Sequence, residues 1–293
     1  MKEKAKLLII LFALVNSSVW AQNQENMKPE ILKLRDNKVE INYYHQGQGD
    51  TTLLFLHGWC INSSYWENQL SHFSNNYKVY ALDLPGFGKS TAKREDWTIQ
   101  EYATDINEFI ETLNLENVVI VGHSMAGEIM IQAALSKNPN IIGLIGVDNF
   151  KHVDVEFSPE EMEQMSGMLT MLKQDFENTV VVFAENWLLH PSTPAEVKER
   201  IKNDFTAVNP IVGENALKNL MQFSELTPAI LEKQEHKLYL INSDANPTNE
   251  VGLKNRCKNG YEIKTIHSTG HYPMIEKPLE FNQLLDEILK NLN

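Results

Sequence analysis

The chain has 293 residues, a length that suits one large α/β domain with a substantial core. Its 26 Lys and Arg face 39 Asp and Glu, giving a formal charge of −13. A surface that acidic repels nucleic acid and anionic lipid, so neither is expected as a partner.

The N-terminus, MKEKAKLLIILFALVNSSVWAQ, carries Lys2, Lys4 and Lys6 ahead of an apolar run from Leu7 to Val15. Small or branched residues follow, up to Ala21. This is the layout of a secretory signal peptide over residues 1–21, cut after Ala21, and of the bacterial export type. The run is too short for a comfortable membrane span, which disfavours an uncleaved anchor. No cysteine near the cut could carry a lipid. The expected location is therefore periplasmic or secreted, with no stable membrane anchor. Cleavage would remove three Lys and one Glu and leave residues 22–293 with a formal charge of −15.

Beyond a polar leader, residues 22–29, strand-like runs recur at residues 38–44, 51–56, 78–82, 117–121, 141–147, 237–241 and 261–266. Several are apolar throughout, as expected for strands buried on both faces of a parallel sheet. Helical patterns separate them. Thr98 reads as the cap of a helix whose apolar face is Ile99, Tyr102, Ile106, Phe109, Ile110 and Leu113. Leu279 to Leu292 reads as a closing helix. Strands alternating with helices predict a doubly wound, mostly parallel sheet.

Residues 151–225 break that rhythm and predict a helical insertion. Ser158-Pro159-Glu160-Glu161 reads as a cap, a first-position proline and an acidic first turn. Met162, Met165, Met168, Leu169, Leu172 and Phe176 follow at helical spacing. Val180 to Phe183 fits strand or helix. Packing of this stripe onto the sheet domain is the plainer expectation. The alternative is an adaptable apolar pocket lined by Met162, Met165, Met168 and Met171. The only cysteines, Cys60 and Cys257, could pair in an oxidising compartment.

The chemistry gathers around Gly122-His123-Ser124-Met125-Ala126-Gly127, which follows a strand and opens a helix. Small neighbours allow a tight strand-to-helix turn that lifts the serine Oγ above the sheet edge. A serine alcohol needs a base. His271, in Ser268-Thr-Gly-His-Tyr-Pro-Met-Ile-Glu-Lys-Pro278, is the candidate; His57 and His123 read as loop supports. An acyl-transfer site also needs oxyanion donors, and the backbone N–H groups of Trp59 and Met125 are the candidates. Gly88-Lys89-Ser90 ends like a phosphate-binding loop, but Asp83 stands where that loop needs a glycine. No cofactor is required, and no His, Cys or Asp cluster has metal-ligand spacing.

Over about residues 30–290 the chain resembles the α/β-hydrolase superfamily. The matching pieces are Phe55-Leu-His-Gly-Trp59, Asp83-Leu-Pro-Gly-Phe-Gly-Lys-Ser90, Gly122-His-Ser-Met-Ala-Gly127 and Gly270-His-Tyr-Pro-Met-Ile-Glu-Lys-Pro278, in the family's order. The resemblance implies an eight-stranded, mostly parallel sheet flanked by helices, with residues 151–225 as a helical cap. It implies Ser124 as nucleophile, His271 as base, and Trp59 and Met125 as oxyanion donors. The acid should fall between Ser124 and His271. Asp148 and Asp244 both satisfy that order, while the position most relatives use is Asn246 here. Chain order and loop reach favour Asp148, with Asp244 the alternative.

Relatives that open epoxides or remove halides carry aspartate where this chain has Ser124. The serine therefore implies acyl chemistry on a small molecule, foremost ester hydrolysis. Export disfavours thioesters of coenzyme A. Two other readings stand beside it: cofactor-free perhydrolase or haloperoxidase activity, and a non-catalytic small-molecule binder on the same fold.

Overall fold

Sequence runs that are apolar on both faces lie at the centre of one sheet. The computed structural model describes residues 28–292, so the export signal expected over residues 1–21 lies outside the described residues. The strands are β1 (Glu30–Leu34), β2 (Val39–Gln46), β3 (Thr52–Leu56), β4 (Lys78–Leu82), β5 (Thr91–Ala92), β6 (Val118–His123), β7 (Ile141–Val147), β8 (Leu238–Ser243) and β9 (Tyr261–Ile266). Their order across the sheet is β1-β2-β4-β3-β6-β7-β8-β9, with β5 added against β2. The continuous path has the expected eight strands, and the two-residue β5 is an addition to it. Pairings from β4 through β9 are parallel; those made by β2 with β1, β4 and β5 are antiparallel. Every residue of β3 and β6 is buried, as strands covered by helices on both faces must be.

Helices α1 (Glu67–Phe73), α2 (Ile99–Thr112) and α3 (Met125–Ala134) connect the first strands. Thr98 caps α2 by accepting the Glu101 N–H at 3.1 Å. Between β7 and β8 the chain forms α4 (Pro159–Gln174), α5 (Phe176–Phe183), a π-turn (Ala184–Leu188), α6 (Ala195–Thr206), α7 (Pro210–Ser224) and α8 (Thr227–Leu231). Val180 to Phe183 is thus helical. Helices α9 (Glu250–Arg256), α10 (Pro273–Glu276) and α11 (Pro278–Leu292) complete the chain. None of the helices among the described residues is long and apolar enough to cross a membrane.

The α4 N-terminus forms a capping box: Ser158 Oγ accepts the Glu161 N–H at 3.2 Å, and Glu161 Oε2 accepts the Ser158 N–H at 2.7 Å. The expected stripe packs in part: Leu172 and Phe176 are buried, and Met168 and Leu169 lie partly buried against the core. Leu172 is the only buried residue of α4, and Met162 and Met171 are 61% and 52% exposed. Phe176 joins Val180, Ala184, Ile201 and Phe205 in the core of the inserted helices. Trp59, from the sheet domain, plugs into it. Its ring meets Phe176, Phe183 and Phe205 edge-on at 6.5, 5.9 and 5.4 Å between centroids. Its Nε1–H donates to the Gly213 carbonyl at 2.8 Å.

The strand order reverses at β3 and β6. The chain leaves β3 toward β4 on one side and returns to β6 on the other. In open α/β sheets the crevice above such a reversal is where ligands bind. His57-Gly58 leaves β3 at that crevice, and Ser124 leaves β6 there. Cys60 and Cys257 are both buried and unpaired.

Asp83 organises the neighbouring loop. Its carboxylate accepts from Asn42 Nδ2 at 2.9 Å, the Ser63 N–H at 2.8 Å and the Lys89 N–H at 2.9 Å. The carboxyl group also fills the space a Gly88 side chain would need. Its place in the glycine-lysine-serine stretch is therefore structural. Asp83→Ala leaves three donors without an acceptor and should destabilise the fold by about 3 kcal/mol or more, read as a lower urea midpoint at unchanged slope.

Candidate active site

The turn between β6 and α3 is held by steric constraint. Ser124 sits at φ 52° and ψ −122°, a region that non-glycine residues rarely occupy. A Cβ at Gly122 would stand 2.5 Å from the Ala126 carbonyl oxygen, so only glycine fits. Ala126, where a second glycine is usual, is fully buried. The Ser124 side chain does not cap α3, which leaves its hydroxyl free for chemistry. Met125 is the first residue of α3, where N–H groups have no intrahelical acceptor. Gly58 closes the other wall: a Cβ there would stand 3.0 Å from Ser124 Cβ and 2.7 Å from His123 Nδ1. The His57-Gly58-Trp59 turn therefore lies directly against the serine.

Two buried histidines brace this corner. His57 Nδ1–H donates to the Gly58 carbonyl at 2.7 Å, and Nε2 accepts the Leu84 N–H at 2.8 Å. Burial holds it below the ordinary histidine pKa. His123 donates from Nε2 to the His271 carbonyl at 2.7 Å, and its ring lies 4.7 Å from that of His271. Burial first, then the neighbouring His271, pushes His123 well below the ordinary value. His57 thus has both ring nitrogens engaged, while His123 Nδ1 is buried against Gly58 without a hydrogen-bond partner.

His271 follows β9 and points Nδ1 at Asp148 Oδ2, 2.6 Å away. Asp148 follows β7 at φ 49°, its side chain only 4% exposed. Its second oxygen, Oδ1, accepts the Ser243 N–H at 2.8 Å and faces Lys151 Nζ at 2.6 Å. Burial opposes ionisation of Asp148. The hydrogen bond and charge of His271, then those of Lys151, outweigh it and hold the carboxyl well below the ordinary aspartate value. Asp244, the alternative acid, does not meet His271. It accepts from His267 Nδ1 at 2.9 Å and from the Ser268 N–H at 3.0 Å.

The inserted helices hold the histidine loop from above. The His271 N–H donates to the Leu188 carbonyl at 2.8 Å. Glu276 accepts the Gly270 and Tyr272 N–H groups at 2.9 and 3.1 Å, and also Thr193 Oγ1–H at 2.6 Å. Sequence reasoning missed Lys151, Ser243, Glu276, Leu188 and Thr193. Only Glu276 carried a signal, as the acidic residue of the Gly-His-Tyr-Pro stretch.

A cavity of about 700 Å³ lies beneath α4 and α7, lined by Glu128, Phe150, Lys151, Met162, Met165 and Met221 among others. Two of the four methionines expected around an apolar pocket are in that lining. Glu128 stands one turn along α3 from Ser124, and Phe150 two residues beyond Asp148, so the cavity begins beside the site. Ser124 and His271 themselves do not line it. Among the described residues, no group of three or more His, Cys, Asp or Glu is arranged to hold a metal ion.

Residues 51–250 match the model of the alpha/beta hydrolase fold, and the chain belongs to that family. It is 29% identical over 176 residues to (E)-2-((N-methylformamido)methylene)succinate hydrolase of Acinetobacter baylyi, covering 60% of this chain and 64% of that one. It is 31% identical over 147 residues to pimeloyl-[acyl-carrier protein] methyl ester esterase of Yersinia pseudotuberculosis, covering 49% and 55%. The matches thus span just over half to under two thirds of these curated relatives. Among solved structures, bromoperoxidase from Bacillus anthracis aligns with a TM-score of 0.77 at 20% identity, over 90% of this chain and all of that one. A thermophilic esterase from Thermogutta terrifontis aligns at 0.73 and 22%, over 91% and 99%. The two structures share the fold.

Glu128 gives the cavity a pH signature. Burial raises its carboxyl to about 8, so the folded protein keeps a proton that the unfolded chain releases near the ordinary glutamate value of 4.5. The unfolded state then binds fewer protons between those limits, and stability falls as pH rises through them. Glu128→Gln removes that penalty. Its melting temperature should match the wild type near pH 4.5, exceed it increasingly up to about pH 8 and by a constant margin above that.

Proposed function

We propose that the protein is a serine hydrolase that cleaves a carboxylic ester of a small molecule through an acyl-Ser124 intermediate, with His271 as base and Asp148 as the acid behind it. The observation that carries this reading is the 2.6 Å bond from His271 Nδ1 to Asp148. It fixes the proton on Nδ1 and leaves Nε2 to act as the base.

In this mechanism Nε2 of His271 removes the Ser124 hydroxyl proton as Oγ attacks the ester carbonyl carbon. The tetrahedral oxyanion receives the N–H groups of Trp59 and Met125. Each such donor is worth about 3–4 kcal/mol in the transition state. The imidazolium returns its proton to the leaving alkoxide, and the alcohol departs. Water, deprotonated by the same Nε2, then attacks the acyl-enzyme carbonyl; the bond to Oγ breaks, the imidazolium returns its proton to Ser124 Oγ, and the carboxylic acid is released. Asp148 stays ionised throughout and stabilises the imidazolium. The strained Ser124 backbone supports the reading, because strain of that kind persists where surrounding structure over-determines it.

The cavity beside the site supports an apolar substituent on the substrate, and the names of two aligned relatives, both ester hydrolases, point to the same bond. Residues 1–21 support a role outside the cytoplasm, on export-type substrates rather than coenzyme A thioesters.

The test is hydrolysis of p-nitrophenyl esters of increasing acyl length. Ser124→Ala should lose about 10⁴–10⁶-fold in kcat, and Asp148→Asn about 10⁴-fold. Asp244→Asn should stay within a few-fold of wild type. Equal losses in the two aspartate variants would remove Asp148 from its assigned role. Activity that Ser124→Ala does not affect would sink the mechanism. Turnover seen only with added hydrogen peroxide and a short carboxylic acid would move the protein to the perhydrolases.

A further inference from the structure

The acid at the end of β7 is shared between two cations. His271 takes Oδ2, and Lys151 takes Oδ1 together with the Ser243 N–H. The lysine side chain is only 7% exposed, and all three of its protons are used. One goes to Asp148 Oδ1 at 2.6 Å, one to the Ser243 carbonyl at 3.1 Å and one to Ser243 Oγ at 3.0 Å. Ser243 ends β8, the strand after which most relatives are expected to carry the acid. Here that strand end supplies a cradle for an acid that arrives from β7.

We propose that Lys151 is a positioning residue: it pins the Asp148 carboxylate against Ser243 and competes with the His271 imidazolium for it, keeping the base unprotonated and active to lower pH than an Asp–His pair alone would allow. The proposal rests on the roles given above to His271 and Asp148, but its test does not need turnover.

The sign follows from counting charge. Asp148 and Lys151 together are neutral, so protonating His271 adds a net positive charge to a buried site. Without Lys151, the same proton would neutralise the lone carboxylate. A like charge on the far side of a shared carboxylate disfavours the imidazolium, by an effect on the order of one pH unit.

The other titratable groups around the pair do not replace this effect. His123 and His57 are held below the ordinary histidine value by burial, and so is His152, next to Lys151. Tyr272 is pushed well above its ordinary value. Glu276 spends its oxygens on the loop N–H groups and Thr193. Glu128, across the cavity lining, keeps its proton up to about 8.

The experiment follows the His271 ring by proton–carbon NMR of the histidine-labelled full chain against pH, assigned by comparison with His271→Gln. Lys151→Gln keeps donors without charge, and Lys151→Arg keeps charge. In Lys151→Gln the His271 titration should move upward by on the order of one pH unit, while in Lys151→Arg it stays near wild type. The acid limb of inactivation by a fluorophosphonate should move with it. A folded Lys151→Gln protein whose titration superimposes on wild type would overturn the proposal. Should that variant not fold, the unmodified protein decides. Coupling is reciprocal, so the Lys151 Nζ resonance should shift with the midpoint of the His271 ring, and a flat Nζ resonance overturns the proposal. If no ester is hydrolysed while the titrations behave as expected, the hydrolase reading fails and the coupling stands.

Discussion

One buried carboxylate organises the site. Asp148 is almost wholly out of water, and an ionised group there is tolerated only if its lone pairs are spoken for. Three chain segments meet that demand. The end of β7 supplies the carboxylate and, three residues on, Lys151; the end of β8 supplies the Ser243 N–H; and the β9 loop supplies His271. The backbone repeats the arrangement. The Asp148 N–H donates to the Ile241 carbonyl at 3.0 Å, and Asn149 and Asn242 exchange hydrogen bonds at 3.2 and 3.0 Å. Losing one partner would leave a charge buried without compensation, so the three segments are fixed together or not at all.

Five of the twelve left-handed non-glycine residues among the described residues gather around the same strand ends. Cys60, Ser124, Asp148, Phe150 and Ser268 all have φ between 49° and 58°. All five flank the strand ends above the sheet. A left-handed backbone is costly for a side chain as large as Phe150, yet it aims that ring into the cavity beside the site. The sheet provides the rigidity that keeps these positions from relaxing, since β3, β6 and β7 are parallel neighbours with buried faces.

How much of this could be read from residues alone depended on the range of each interaction. Ser124 and His271 were legible because short motifs encode a turn and its steric needs locally. Gly122 is required by Ala126, four positions away. The central strands were legible because burial on both faces leaves an unbroken apolar run. Strand β1 was not, because Glu30–Leu34 is an edge strand with one buried residue, and β5 is too short to show a period. The choice between Asp148 and Asp244 stayed open because it turns on contacts 123 and 23 residues apart in sequence. Lys151 was invisible for the same reason: its partner Ser243 lies 92 positions away. The α4 stripe was legible only in part, since helical spacing says which residues share a face and not which of them meet the core, as Met168 does, and which a cavity, as Met162 and Met165 do.

The inserted helices do more than cover the crevice. Their π-turn ends at Leu188, whose carbonyl takes the His271 N–H, and Thr193 reaches the carboxylate that fixes the neighbouring loop. Trp59, beside the serine, is anchored in their core through Gly213 and three aromatic rings. The inserted helices therefore grip the site at two points, the His271 loop and the His57-Gly58-Trp59 turn. A displacement of these helices would shift both groups relative to Ser124, which is fixed from below by the sheet. Geometry at the serine thus belongs to the sheet, and geometry at its two partners is shared with the cap. A ligand that fills the cavity between α4 and α7 would touch the elements on which that second geometry depends.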